Sequence, residues 1–138
     1  MCIEAYAAGL LDGGGCIFAG RRSIQSGGDN HYLTVTFNMT DRAPLEELSL
    51  QWGGAVSKNK KLSSGGRNIY RWAIWRRYAQ EFLEDVRPWV RGKKPQVELA
   101  LRFPVGRAGH GLSPDERAGQ ANICSELRNA KKALPSRS

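Results

Sequence analysis

Residues 3–17 start as a helix of mostly small side chains and end in three consecutive glycines that run into a strand. Over 3–12 the spacing predicts a helix. Ile3, Tyr6, Ala7 and Leu10 share one face, while Ala5, Ala8, Gly9 and Asp12 recur at i, i+3, i+4 and i+7 on another. A stripe of small residues lets a second backbone approach closely, because nothing bulky holds it off. A short helix that packs only on its own core has no need of such a stripe. The segment therefore predicts a helix with two faces to cover, one on the core and one on a neighbouring helix.

The strands downstream follow a period of two. Residues 16–25 and 31–39 read as a pair joined across Ser26-Gly27-Gly28-Asp29-Asn30. In the second of them Leu33, Val35, Phe37 and Met39 point to a core, and Tyr32, Thr34, Thr36 and Asn38 to a polar face. Asp41 is placed to cap a helix over about 42–52, with Pro44 tolerated in its first turn and Gly53-Gly54 ending it. A second strand pair, about 54–61 and 67–75, meets across Ser63-Ser64-Gly65-Gly66, with Lys58, Lys60, Lys61, Arg67 and Arg71 dense around its tip. Tyr70, Trp72 and Ile74 alternate with Arg71, Ala73 and Trp75, so one face is again apolar. Tyr78, Phe82, Leu83 and Val86 mark a helix over about 77–87. The basic link Arg91-Gly92-Lys93-Lys94 leads to a short helix over Gln96–Phe103, and 104–112 form a Gly-rich loop. Ser113-Pro114-Asp115-Glu116 is a capping box that opens a last helix to about 133.

The chain has 138 residues, enough for one domain over 1–138, and 41% are hydrophobic, which is enough for a core. Lys and Arg outnumber Asp and Glu by 21 to 13, for a net charge of +8. That excess favours a polyanionic partner, nucleic acid foremost. Cys2, Cys16 and Cys124 have no metal-ligand spacing, and only His31 and His110 could join them, so a zinc site is not expected. There is no apolar run long enough for a membrane and no signal peptide. The expectation is an intracellular protein, in cytoplasm or an organelle, with no membrane partner.

Ala7 to Gly15 reads A-A-G-L-L-D-G-G-G. It resembles the signature L-A-G-L-I-D-A-D-G of the LAGLIDADG homing endonucleases. The basic segment Lys93-Lys94-Pro95-Gln96 resembles a second family feature, a lysine followed at i+3 by a glutamine. The resemblance implies an α+β fold of order αββαββα, with an antiparallel saddle-shaped sheet, helices on one of its faces, and further C-terminal helices. One copy of the motif implies a homodimer packed two-fold through Ala5, Ala8, Gly9 and Asp12. The implied partner is double-stranded DNA at a pseudo-palindromic site. The implied activity is Mg²⁺-dependent cleavage of both strands.

At the penultimate motif position the family carries an acid that binds the metal, and this chain has Gly14. The backbone around Gly13 and Gly14 is all that remains there for a metal, so Mg²⁺ binding is expected to be weak or absent and cleavage impaired. Asp12 does not replace the acid: two residues along a helix turn a side chain by roughly 200°. Lys93 and Gln96 match the accessory positions near the scissile phosphate, and Asp41 matches a polar residue that holds active-site water. For base reading, the polar strand faces offer Phe18, Arg22, Tyr32, Thr34, Thr36, Asn38, Ser57, Asn59, Lys61, Arg67 and Arg71. Two other readings stay open on the residues alone: an active endonuclease that recruits Asp12 or another acid, and a non-catalytic reader of DNA or a maturase-like RNA binder.

Overall fold

The computed structural model describes residues 2–23, 29–60, 63, 65–105 and 112–133. Its elements run α1 (Ile3–Gly14), β1 (Gly15–Ser23), β2 (Asp29–Met39), α2 (Arg42–Trp52), β3 (Ala55–Lys58), β4 (Tyr70–Trp75), α3 (Arg76–Val86), a 3-10 turn (Arg87–Trp89), α4 (Lys94–Leu101) and α5 (Pro114–Ala133). This is the expected α+β order, with the 3-10 turn as an addition. Residues 24–28, 61–62, 64 and 106–111 lie outside the description, and with them most of the first hairpin tip, Lys61, His110 and most of the Gly-rich loop.

The strands form one antiparallel sheet in the order β1-β2-β4-β3. Its register sorts the two faces. Ile17 pairs with Val35 and Val35 with Ile74, Ala19 pairs with Leu33, and Phe37 pairs with Trp72. These residues are buried in one cluster with Ala7, Ala8 and Leu11 of α1, Leu45 and Leu48 of α2, Phe82 and Leu83 of α3, Val97 and Ala100 of α4, and Leu127 of α5. At its centre Phe37 and Trp72 stack at 5.5 Å, and the Phe82 ring stands edge-on to Trp52, Trp72 and Phe37. The indole N–H groups find acceptors: Trp72 donates to the Gly53 carbonyl and Trp52 to Asp85, each at 2.8 Å.

Local signals set the element ends. The Asp41 carboxylate accepts the Ala43 N–H at 3.1 Å, capping α2. Ser113 and Glu116 exchange hydrogen bonds as a capping box at the start of α5. Gln80 donates its side-chain amide to the carbonyls of Ala100 and Phe103, covering the end of α4. Arg76 sits at φ 54°, a left-handed conformation at the sharp step from β4 into α3.

Helix α1 differs from the sequence reading in two ways. It continues through Gly13 and Gly14, and its core face is Ala7, Ala8 and Leu11, while Ile3, Tyr6 and Leu10 are only half-buried. Leu11 supplies the large apolar anchor, and the residues one turn before it follow it inward. Ala8 is thereby wholly buried within the chain, which removes it from the expected interface with a second copy.

Candidate nucleic-acid interface

Among the described residues the buried cluster lies on one face of the sheet, and the other face is formed by the alternate strand positions. Register places its residues in rows: Phe18, Thr34 and Trp75; Cys16, Thr36, Ala73 and Ala55; Asn38, Arg71 and Ser57. Gly20 pairs with Tyr32, and Arg22 pairs with Asn30. Asn59 follows β3 and donates its amide to the Asn38 side-chain oxygen at 3.0 Å, which joins it to the polar row. Arg71 lies between Asn38 and Ser57 in that row, and its Nε has no hydrogen-bond partner among the described residues. That Nε is buried, so a contact from Arg71 to a base edge falls to its terminal guanidinium nitrogens. Lys58, Lys60 and Arg67 are exposed around the β3–β4 tip.

Two expected readers are less available. Thr34 and Thr36 lie on this face, as alternation requires, but both are buried. Thr34 sits between Phe18 and Trp75 in the register and donates its hydroxyl to the Ile74 carbonyl at 2.9 Å. It forms the floor of the surface and does not present a free hydroxyl. Lys131, near the end of α5, comes to the same face: its Nζ is 3.5 Å from Cys16 Sγ and 5.5 Å from the Phe18 ring centre. Residues so far apart in sequence leave no local signal of their meeting. Trp75, which alternation also puts on this face, is a further exposed residue there beyond the expected readers.

At the end of α1 the structure brings Asp12 and Lys93 together. The Asp12 carboxylate accepts the backbone N–H of Arg91 at 2.8 Å through one oxygen and that of Lys93 at 3.0 Å through the other. Lys93 Nζ reaches the Asp12 backbone carbonyl at 3.3 Å. A bidentate pair of Arg87 with Glu98, at 2.7 and 2.8 Å, braces the far side of the same link. Lys93 is thus held beside Gly13 and Gly14, both exposed. Gln96, one turn on, is buried, and its side-chain oxygen has no partner among the described residues. Asp41 is exposed and serves as the α2 cap.

Within one chain the described residues at the end of α1 do not by themselves make a divalent-metal site. Among the described residues no three His, Cys, Asp or Glu side chains come together as a ligand set. Gly14 has no side-chain donor, and both Asp12 oxygens are engaged by backbone N–H groups. Hard cations call for several oxygen ligands, carboxylates first.

Three glycines that look alike in sequence differ here. A Cβ on Gly15 would lie 2.7 Å from the Phe37 ring and 2.8 Å from Leu11, so the turn from α1 into β1 requires glycine. A Cβ on Gly9, Gly13 or Gly14 would meet nothing within 4 Å. The chain's own packing does not explain those three.

The fold is that of the LAGLIDADG homing endonucleases. The structure of the homing endonuclease I-CvuI in complex with its target superposes with a TM-score of 0.77 at 18% identity, over 98% of this chain and 85% of that one. The archaeal intron-encoded homing endonuclease I-Vdi141I, complexed with DNA, gives 0.71 at 17% identity, over 97% and 86%. The I-LtrWI LAGLIDADG homing endonuclease, bound to target DNA, gives 0.61 at 14% identity, over 89% of this chain but 43% of its own. No family model and no curated protein matches the sequence. No described helix is long and apolar enough to cross a membrane.

Proposed function

We propose that this protein is a homodimeric, site-specific binder of double-stranded DNA built on a homing-endonuclease scaffold, and that it cleaves poorly or not at all because Gly14 stands where the metal-binding acid is needed. The observation that carries this reading is the uncovered sheet face. It sets Asn38, Asn59, Arg71 and Ser57 side by side, with Lys58, Lys60 and Arg67 around them, in a chain of net charge +8. A strand ribbon fits the major groove, and these side chains match the donors and acceptors of base edges. Arg22, Lys61 and Tyr32 complete the proposed DNA-binding set, the lysines on phosphate.

The glycines support the dimer. Glycine inside a helix costs roughly 0.5–1 kcal/mol relative to alanine. Gly9 and Gly13 are exposed and meet nothing of their own chain, so close approach by a second α1 gives them a purpose. Ala5, half-buried, continues the same line one turn earlier. The chain spans under half of I-LtrWI, so two copies would supply what that longer chain holds in one.

Asp12 does not serve as a substitute acid, because its carboxylate ties α1 to the basic link. Lys93 sits where it would meet a phosphate at the end of α1, with Gln96 behind it and Asp41 at the end of β2 as accessory positions.

The test is restoration. A binding selection on randomised duplex DNA in Ca²⁺ supplies the site, and Gly14→Asp and Gly14→Glu are then assayed on it with Mg²⁺. A Cβ at 14 enters open space, so the fold tolerates the change. The expected result is metal-dependent double-strand cleavage by the acid variants and none by the parent. Acid variants that bind but never cut would sink the lost-acid account. Cleavage by the parent, abolished in Asp12→Asn, would favour the recruited-acid reading, and preference for structured RNA over every duplex would favour an RNA binder.

A further inference from the structure

The open face is chemically divided, and the part away from Asn38 and Arg71 is aromatic. Phe18 and Trp75 are 43% and 46% exposed, which is unusual for large apolar side chains on a sheet face. Tyr32 joins them, its ring 5.9 Å from Phe18 and 5.6 Å from Trp75. The cluster is fixed in place. A Cβ on Gly20 would lie 2.5 Å from the Tyr32 hydroxyl and 2.6 Å from the Phe18 ring, so the two rings lie across a glycine that leaves room for them. Thr34 beneath has already given its hydroxyl to the Ile74 carbonyl. Apart from the Tyr32 hydroxyl and the Trp75 indole N–H, the described part of this surface offers carbon. The Lys131 ammonium stands 5.5 Å from the Phe18 ring and supplies positive charge at its border.

We propose that Phe18, Tyr32 and Trp75 form a reader of thymine methyl groups, so that part of each half-site is specified by apolar contact in the major groove. This rests on the DNA-binding reading above and deepens it. The major groove presents one apolar group among its base-edge signals, the thymine C5-methyl. An aromatic surface whose polar atoms among the described residues are the Tyr32 hydroxyl and the Trp75 indole N–H is mostly carbon, and it gains by burying a methyl. The charged border at Lys131 and the basic β3–β4 tip match the flanking phosphates. Position follows from the strand. Phe18 lies four residues beyond Gly14, and Gly20, which pairs with Tyr32, lies six beyond. At about 3.4 Å per residue along a strand and per base pair along DNA, the band falls about four to six base pairs from the cleavage centre in each half. The Asn38–Arg71–Ser57 row lies on the other side of the Cys16–Thr36 row and reads a different segment by hydrogen bonds.

The experiment uses the full chain and the duplex recovered by selection. Each thymine is replaced in turn by deoxyuridine, which removes only the methyl. Affinity is expected to fall about fourfold per methyl within the band, the equivalent of one buried methylene, and about fifteenfold when the symmetry-related pair is replaced. Outside the band the replacement is expected to be neutral. In Phe18→Ala and Trp75→Ala, whose folding is checked by thermal melting, the deoxyuridine penalty should shrink while the rest of the site is still selected. A recovered site whose band tolerates deoxyuridine without loss overturns the thymine reader and leaves the DNA-binding reading standing. Failure to recover any duplex site overturns both. The deoxyuridine readout on the parent protein needs no variant, so poor folding of a mutant does not obscure it.

Discussion

Asp12 joins two stretches of chain that lie far apart in sequence, and it does so with both carboxylate oxygens. Each accepts one backbone N–H from the basic link, Arg91 and Lys93. An asparagine keeps one acceptor and turns an amide NH₂ toward the other N–H. Asp12→Asn is therefore expected to lower stability by about 1–3 kcal/mol, the cost of leaving a partly buried donor unpaired, with the fold retained. Urea denaturation measures it. A loss below about 0.5 kcal/mol would mean that the link is held mainly by Arg87–Glu98 and by packing. The sequence placed Asp12 at the end of a helix, but nothing local named the residues it would hold. Lys131 beside Cys16 was equally hidden, because its meaning depends on which edge the last helix reaches. The three motif glycines could not be told apart in sequence either, since only tertiary packing shows that Gly15 alone faces a ring and a leucine.

At the scale of elements, the strand faces were legible because a period of two sorts a strand without knowledge of its neighbours. The alternation of Leu33, Val35 and Phe37 with Thr34, Thr36 and Asn38 gave the two faces directly. Helix α1 was less so. With alanine and glycine at most positions, its hydrophobic faces are nearly equal in strength, and the orientation turned on whether Leu10 or Leu11 anchors. Leu11 does, which buries Ala8 and leaves Gly9 and Gly13 outward. This argues for a test at Gly9. Glutamine is a good helix former, and a Cβ there meets nothing in the chain. Gly9→Gln should keep or raise the melting temperature of the isolated protomer while abolishing the dimer, since its side chain would stand between two α1 backbones. Sedimentation velocity is the measurement, together with the length of the selected DNA site, which should halve. A Gly9→Gln protein that remains dimeric would show that α1 is not the contact.

For the whole molecule the controlling quantity is charge on one open face. In the proposed dimer, two copies related by a two-fold axis would carry twice the +8 of one chain and set both open sheet faces on the same duplex. Lys58, Lys60 and Arg67 are exposed around the β3–β4 tip, and in the proposed dimer they are assigned to phosphate rather than base. Phosphate contacts release counterions, and the logarithm of affinity falls with the logarithm of salt by about 0.9 per phosphate neutralised. With three such residues in each protomer, six contacts are a reasonable lower count for the dimer. Affinity should then fall about a thousandfold between 50 and 200 mM monovalent salt. Neutralising one rim residue, as in Arg67→Gln, should reduce the slope by about two in a dimer and leave the selected sequence unchanged, because a phosphate contact fixes position without naming a base. Arg71→Gln should do the opposite, relaxing the selected sequence near the polar row with little change of slope. Equal effects of the two substitutions on slope and sequence would mean that the face binds DNA as a uniform basic surface, with no division between positioning and reading.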